Sequence, residues 1–120
     1  MLRGRVDSRG EPIVRISLIS SKNRSESHPA VIDTGFNGTL SVPEFLIQRL
    51  GWHWIGYESY ELATGDVVRE KVFMGQILWI RKMQEVAAVA SHAADILIGT
   101  RLLNKNRLIV DFRKNQLFIS

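Results

Sequence analysis

Ala30-Val31-Ile32-Asp33-Thr34-Gly35-Phe36-Asn37-Gly38-Thr39-Leu40-Ser41-Val42 is the stretch on which the reading of this chain turns. Three apolar residues run into Asp33, a polar loop follows, and Thr39 to Val42 bring back the alternation of a strand. A carboxylate placed between two buried strands costs free energy unless it is paired or hydrogen-bonded. Gly35, which has no side chain, lets a second backbone come close to it. On its own an Asp-Thr-Gly tripeptide is an ordinary turn whose carboxylate bonds its own backbone, so the flanking sequence has to decide between turn and site.

Upstream, Pro12 to Ser20 place Val14, Ile16 and Leu18 on one face and Arg15 and Ser17 on the other, the pattern of a half-buried strand. Ser20 to Ser27 offer no apolar face and read as an exposed connection, which leaves Ala30 to Ile32 as a short strand entering the Asp33 loop. Downstream, Pro43 to Gly51 combine an initial proline, Glu44 in the first turn, Leu46 and Leu50 at helical spacing and a closing glycine, which predicts a helix of about two turns.

Tyr57 to Ala63 and Val67 to Phe73 flank Thr64-Gly65-Asp66 as a projecting hairpin. Gln76 to Ile80 and Glu85 to Ala90 form another strand pair, and Asp95 to Ile98 a buried strand ending at Gly99. Thr100 to Leu103 is a single helical turn, and Arg107 to Phe112 and Leu117 to Ile119 form a last strand pair about Lys114 and Asn115. Many short strands between turn signals predict an all-β barrel or sandwich with one or two short helices. An apolar strand, a glycine-bearing loop and a helix occur twice, at Val31 to Leu50 and at Ile96 to Leu103, as a weak internal repeat.

Composition narrows the function classes. At 120 residues, 45% hydrophobic and 23% charged, the chain reads as one globular domain over 1–120 rather than a disordered segment. It has no cysteine, which excludes thiol nucleophiles, disulfides and thiolate metal sites and favours a cytoplasmic setting. No export signal or membrane span is read. The formal net charge of +4 comes from Lys and Arg interleaved with Asp and Glu along the chain, so a solvated surface is expected rather than nucleic-acid binding. His28, His53 and His92 lack metal-site spacing, and no metal or cofactor is expected. Trp52, Trp54 and Trp79 read as core or interface packing.

Four features in order resemble the retroviral-type, or retropepsin-like, aspartic proteases: Ala30 to Gly35, Ala63-Thr64-Gly65-Asp66, Ile96-Leu97-Ile98-Gly99 followed by Leu102-Leu103, and the closing Gln116 to Ser120. Arg3-Gly4-Arg5-Val6, Val31 to Gly38 and Leu108-Ile109-Val110-Asp111 are similar to the small prokaryotic members of that clan. The resemblance implies a retropepsin-like fold, one half of a two-fold dimer, with Asp33 catalytic, Thr34 locking the partner loop and Gly35 admitting its amide to the dyad. It further implies a flap carrying Ala63, Thr64 and Gly65, and substrate contacts near Asn37.

The implied reaction, hydrolysis of a peptide bond, needs two carboxyls sharing one proton, one acting as base toward water and the other as acid. Asp7, Asp66, Asp95 and Asp111 lack the Thr-Gly context, so the second carboxyl is expected from a second copy of the chain, which makes the partners itself and a peptide or protein substrate. Two features depart from the pattern. Phe36 stands where alanine is common, and Asn37 where an acidic residue is usual, so the family's charge pair cannot form in its usual way with Arg101. A non-catalytic dimeric module that binds a peptide or protein on the same fold is the alternative expectation.

Overall fold

The computed structural model describes residues 1–120. Ten strands and two helices follow in the order β1 (Leu2–Val6), β2 (Pro12–Ile19), β3 (Ser25–Ile32), β4 (Leu40–Pro43), α1 (Glu44–Leu50), β5 (His53–Glu61), β6 (Val67–Trp79), β7 (Lys82–Ser91), β8 (Ile96–Ile98), α2 (Thr100–Leu103), β9 (Leu108–Asp111) and β10 (Gln116–Ile119).

All ten strands belong to one sheet, ordered β5-β6-β7-β4-β8-β3-β2-β1-β10-β9, and a further β2–β6 pairing curls its middle into a closed six-stranded barrel. The closure matches Ser17 with Leu78, Leu18 with Ile77 and Ile19 with Gln76. Inside sits a core that includes Val14, Ile16, Leu18, Leu40, Val42, Ile77, Ile98 and Leu117. Val14, Ile16 and Leu18 are 2%, 2% and 0% exposed, so the alternation read from Pro12 to Ser20 marks the inward face.

The two halves of the weak repeat lie side by side. Ala30, Val31 and Ile32 of β3 pair in parallel with Ile96, Leu97 and Ile98 of β8, and β4 runs antiparallel to β8 and parallel to β7. Helix α1 is capped as its sequence specifies. Pro43 occupies the N-cap, and Gly51, at φ 72°, closes the C-terminus by donating to Gln48 and Ile47 carbonyls. Leu46, Ile47 and Leu50 are its buried residues, and all three belong to the hydrophobic core.

Three expectations are corrected. Ser25 to Ser27 are strand rather than connection: β3 pairs with β2 from Ser25 onward, and the turn shrinks to Ser20–Arg24. Polar side chains suit those positions because much of that end is exposed. Val67 to Trp79 form one continuous strand instead of two, and Gly75 within it marks a close approach, since a Cβ there would collide with the Trp52 indole. The Trp52 ring itself is fixed by donating its N–H to the Ile19 carbonyl at 2.8 Å. Leu2 to Val6, not read as a strand, pair with both β2 and β10. Trp52 and Trp79 belong to the core, whereas Trp54 is half exposed and meets Tyr57 edge-on at 5.6 Å. No helix is long and apolar enough to cross a membrane.

Candidate functional site

Asp33 stands immediately past the end of β3, where the parallel partner β8 holds it. Its N–H donates to the Ile98 carbonyl at 2.9 Å, which continues the β3–β8 ladder by one bond and fixes where the side chain leaves the backbone. Its own Oδ1 accepts the Gly35 N–H at 3.0 Å, and its carbonyl accepts the Phe36 N–H at 3.1 Å. The local turn therefore forms as the tripeptide alone would dictate, but on a far more constrained frame.

The rest of the loop is pinned by the start of α2. Thr100 donates its N–H to the Phe36 carbonyl at 2.9 Å and its hydroxyl to the same oxygen at 3.4 Å. Arg101 donates its N–H to the Gly38 carbonyl at 3.1 Å, and Gly99 donates to the Thr39 carbonyl at 3.1 Å. Gly99 permits this approach: a Cβ there would overlap the Gly38 carbonyl and lie 2.7 Å from the Phe36 oxygen. The sequence reading singled out Gly99 as the end of a strand and missed its contact with the loop. It also missed Ile98 and Thr100, which act through a backbone carbonyl and a hydroxyl that no local pattern reveals.

Asp33 is half-buried, while Thr34, Gly35 and Asn37 are exposed. The Thr34 hydroxyl makes no bond within the chain. Asn37 and Arg101, whose usual charge pair the sequence already excluded, share no side-chain bond, and Arg101 instead borders a hollow with Thr39, Trp79 and Glu85. A hollow of about 460 Å³ is bounded by Ile19, Trp52, Met74 and Glu85 and by no residue of the Asp33 loop.

Ala63, Thr64 and Gly65 lie at the tip of the β5–β6 hairpin, apart from the Asp33 loop and with no hydrogen bond to it. Leu62 donates to Asp66 at 2.8 Å, Gly65 donates to Leu62 at 2.9 Å, and the Thr64 hydroxyl donates to the Asp66 carboxylate at 3.1 Å. Gly65 takes φ 89°, a value that its lack of a side chain makes cheap. Below the tip, Glu58 and Glu70 stand directly opposite one another, and the Tyr60 hydroxyl donates to Glu58 at 3.1 Å. Burial, then the Glu58 charge, raises the Glu70 carboxyl above its ordinary value, with His92 opposing. Burial and the same Glu58 push the Tyr60 phenol up to about 12.

A closed six-stranded barrel, a carboxylate at the end of β3 where it pairs in parallel with β8, and the long β5–β6 hairpin define the architecture. Among solved structures it matches a retropepsin-like aspartic protease from Rickettsia conorii with a TM-score of 0.69 over 98% of this chain and 87% of that one, at 14% sequence identity. The fold is retropepsin-like. No family model matches the chain, and no curated protein matches it in sequence. Similarity at that identity carries the retropepsin-like fold alone; what the Asp33 loop does on it has to be argued from the loop.

Proposed function

We propose that the chain is an aspartic endopeptidase whose active site forms from Asp33 of two copies related by a two-fold axis. The observation that carries the proposal is the Asp33 loop itself. It is a half-exposed carboxylate with one oxygen tied to Gly35 and the other without a partner in the chain, on a loop anchored by Ile98, Gly99, Thr100 and Arg101 within a retropepsin-like fold. Such anchoring suits a group that must be held to a fraction of an ångström, because misplacing a reacting group sacrifices the gain from orientation.

A lone chain offers half a cleft. Two copies facing across the axis supply two carboxyls, and close carboxylates cannot both ionise cheaply, so the pair retains one proton; aspartic proteases are the standing example of this behaviour. The ionised Asp33 takes a proton from water, the water oxygen attacks the peptide carbonyl, and the protonated twin donates to the carbonyl oxygen. The leaving nitrogen is then protonated as the C–N bond breaks. Thr34, exposed and unbonded in the chain, reaches the partner loop, and the hairpin tip at Ala63, Thr64 and Gly65, hydrogen-bonded only to itself, closes over an extended peptide.

Asp33→Asn tests the reading. The substitution keeps the shape and removes the base, so cleavage of a mixed peptide library at mildly acidic pH falls by about 10³-fold or more, while thermal stability and solution mass stay unchanged. Cleavage that survives in the variant would sink the proposal. A dimer that binds peptides without cutting them, in both forms, would identify a peptide-binding module on the same fold.

A further inference from the structure

Val31 and Asp33 are two positions apart at the end of β3, so both side chains leave on the face turned away from the barrel core. On that face the registers carry a row from Val31 across the sheet, through Leu97 of β8, Ser41 of β4, Val89 of β7 and Val72 of β6 to Gly56 of β5. None of these belongs to the hydrophobic core, which takes their chain neighbours Ile32, Ile98, Leu40, Ala88 and Phe73. Yet Val31, Val89 and Val72 are only 9%, 3% and 9% exposed. The row is a second, sheltered apolar floor, and it begins beside Asp33.

Ser41 interrupts that floor. It is the one buried polar side chain, 8% exposed, and its hydroxyl has no hydrogen-bond partner within the chain. A sealed hydroxyl without a partner is costly, but this one is not sealed. It therefore faces a space that a ligand can enter.

At the β6 end the floor runs into charge. Glu70 lies two residues, about 7 Å, beyond Val72 on the same face, directly opposite Glu58. Neither carboxylate has an ion pair within the chain, and Glu58 accepts only the Tyr60 hydroxyl. Arg69 and Lys71 alternate to the other face, where Arg69 lies over the Tyr57 ring at 4.2 Å and Lys71 pairs with Glu44 at 3.2 Å. Like charges directly opposite one another destabilise a sheet. Burial and the Glu58 charge hold the Glu70 carboxyl above its ordinary value, with His92 opposing. A cation arriving from outside the chain would relieve both effects.

We infer that this trough takes a basic side chain of the substrate, arginine or lysine, with its apolar stem on Val89 and Val72 and its charge between Glu70 and Glu58. Ser41 bonds the peptide where that side chain leaves the backbone. The inference rests on the endopeptidase reading and names the substrate class: apolar beside the scissile bond, basic toward the hairpin. Long basic side chains suit such a site because stem and head prefer different surroundings. Two copies supply two troughs, so a basic residue is accepted on either side of the cut.

Two peptide libraries provide the test, identical except that one carries arginine where the other carries citrulline, which keeps the shape and lacks the charge. The wild-type chain is expected to cleave the arginine library with a kcat/KM about tenfold higher or more. In the double variant Glu58→Gln, Glu70→Gln that ratio is expected to fall to about one. In Glu61→Gln, on the opposite face of β5, the ratio stays as in wild type, and thermal melting checks that each variant is folded.

Equal cleavage of both libraries by the wild type would overturn the basic subsite and leave the endopeptidase intact. A preference for arginine that survives in the folded double variant would overturn its assignment to Glu58 and Glu70. Cleavage of neither library would overturn the inference, and if a mixed library were uncut as well, the endopeptidase reading would fall with it.

Discussion

The Asp33 loop and the β5–β6 hairpin tip are both short polar turns between strands, and the chain treats them in opposite ways. Residues 33–38 are bonded to β8 and to the first turn of α2, with long-range partners for Asp33, Phe36 and Gly38, and the Thr39 that follows accepts from Gly99. Every hydrogen bond of the tip stays within Leu62 to Asp66, and a side chain added at Gly65 would meet nothing within 4 Å. One turn is anchored to the barrel and the other only to itself. Under the proposed function this contrast is what water activation beside an extended peptide demands: the reacting group must not move, and a cover over the peptide must.

Gly99→Ala attacks the anchored side and has the largest expected effect. Its new methyl would run into the backbone oxygens of Gly38 and Phe36, neither of which can rotate away. We expect a loss of about 3 kcal/mol in urea unfolding, with cleavage abolished even in the fraction that remains folded. Wild-type stability in this variant would show that the loop is less constrained than its bonds indicate.

Gly65→Ala probes the self-contained side. The substitution strains a φ of 89° by about 1 kcal/mol, and because the tip contributes nothing to the core the strain is local. The expected result is a raised KM for peptide with little change in the unfolding midpoint. A global destabilisation as large as that of Gly99→Ala would erase the contrast between the two turns.

A smaller effect comes from the hairpin stem, where Glu58 and Glu70 face each other. Glu70 holds its proton more tightly in the folded chain than in the unfolded one, so folding becomes less favourable as pH rises from the unfolded carboxylate range through the raised folded value. Glu70→Gln removes that penalty. It should raise stability at pH 7 by roughly 0.2–1 kcal/mol, the usual cost of like charges directly opposite, and the gain should vanish near pH 3. A gain that persists in acid would assign the effect to packing instead.

How far the sequence discloses this arrangement depends on whether the signal is local. Helix α1 is legible because Pro43, Glu44 and Gly51 are local instructions, and the single turn Thr100 to Leu103 falls where its length allows. β1 is not legible: Arg3, Gly4 and Arg5 form a strand only because β2 and β10 pair with them. Ser25 to His28 carry little apolar signal and are drawn into β3 by the register with β2. Asp33 stands out through its tripeptide, whereas its supports do not, since Ile98 contributes a carbonyl and Gly99 contributes empty space. Both are consequences of β3 and β8 lying in parallel, a pairing between residues about 65 positions apart that no short-range pattern encodes.

The central claim, that each active site takes one Asp33 from each of two chains, is tested most directly by mixing. Wild-type chain is combined with an equal amount of Asp33→Asn chain, subunits are allowed to exchange, and cleavage is compared with the same quantity of wild type alone. Random pairing leaves only about a quarter of the dimers with both carboxyls, so activity is expected to drop to roughly half. Activity unchanged by the added chain, with mixed dimers demonstrated in the same sample, would mean that one chain suffices and would contradict the shared site.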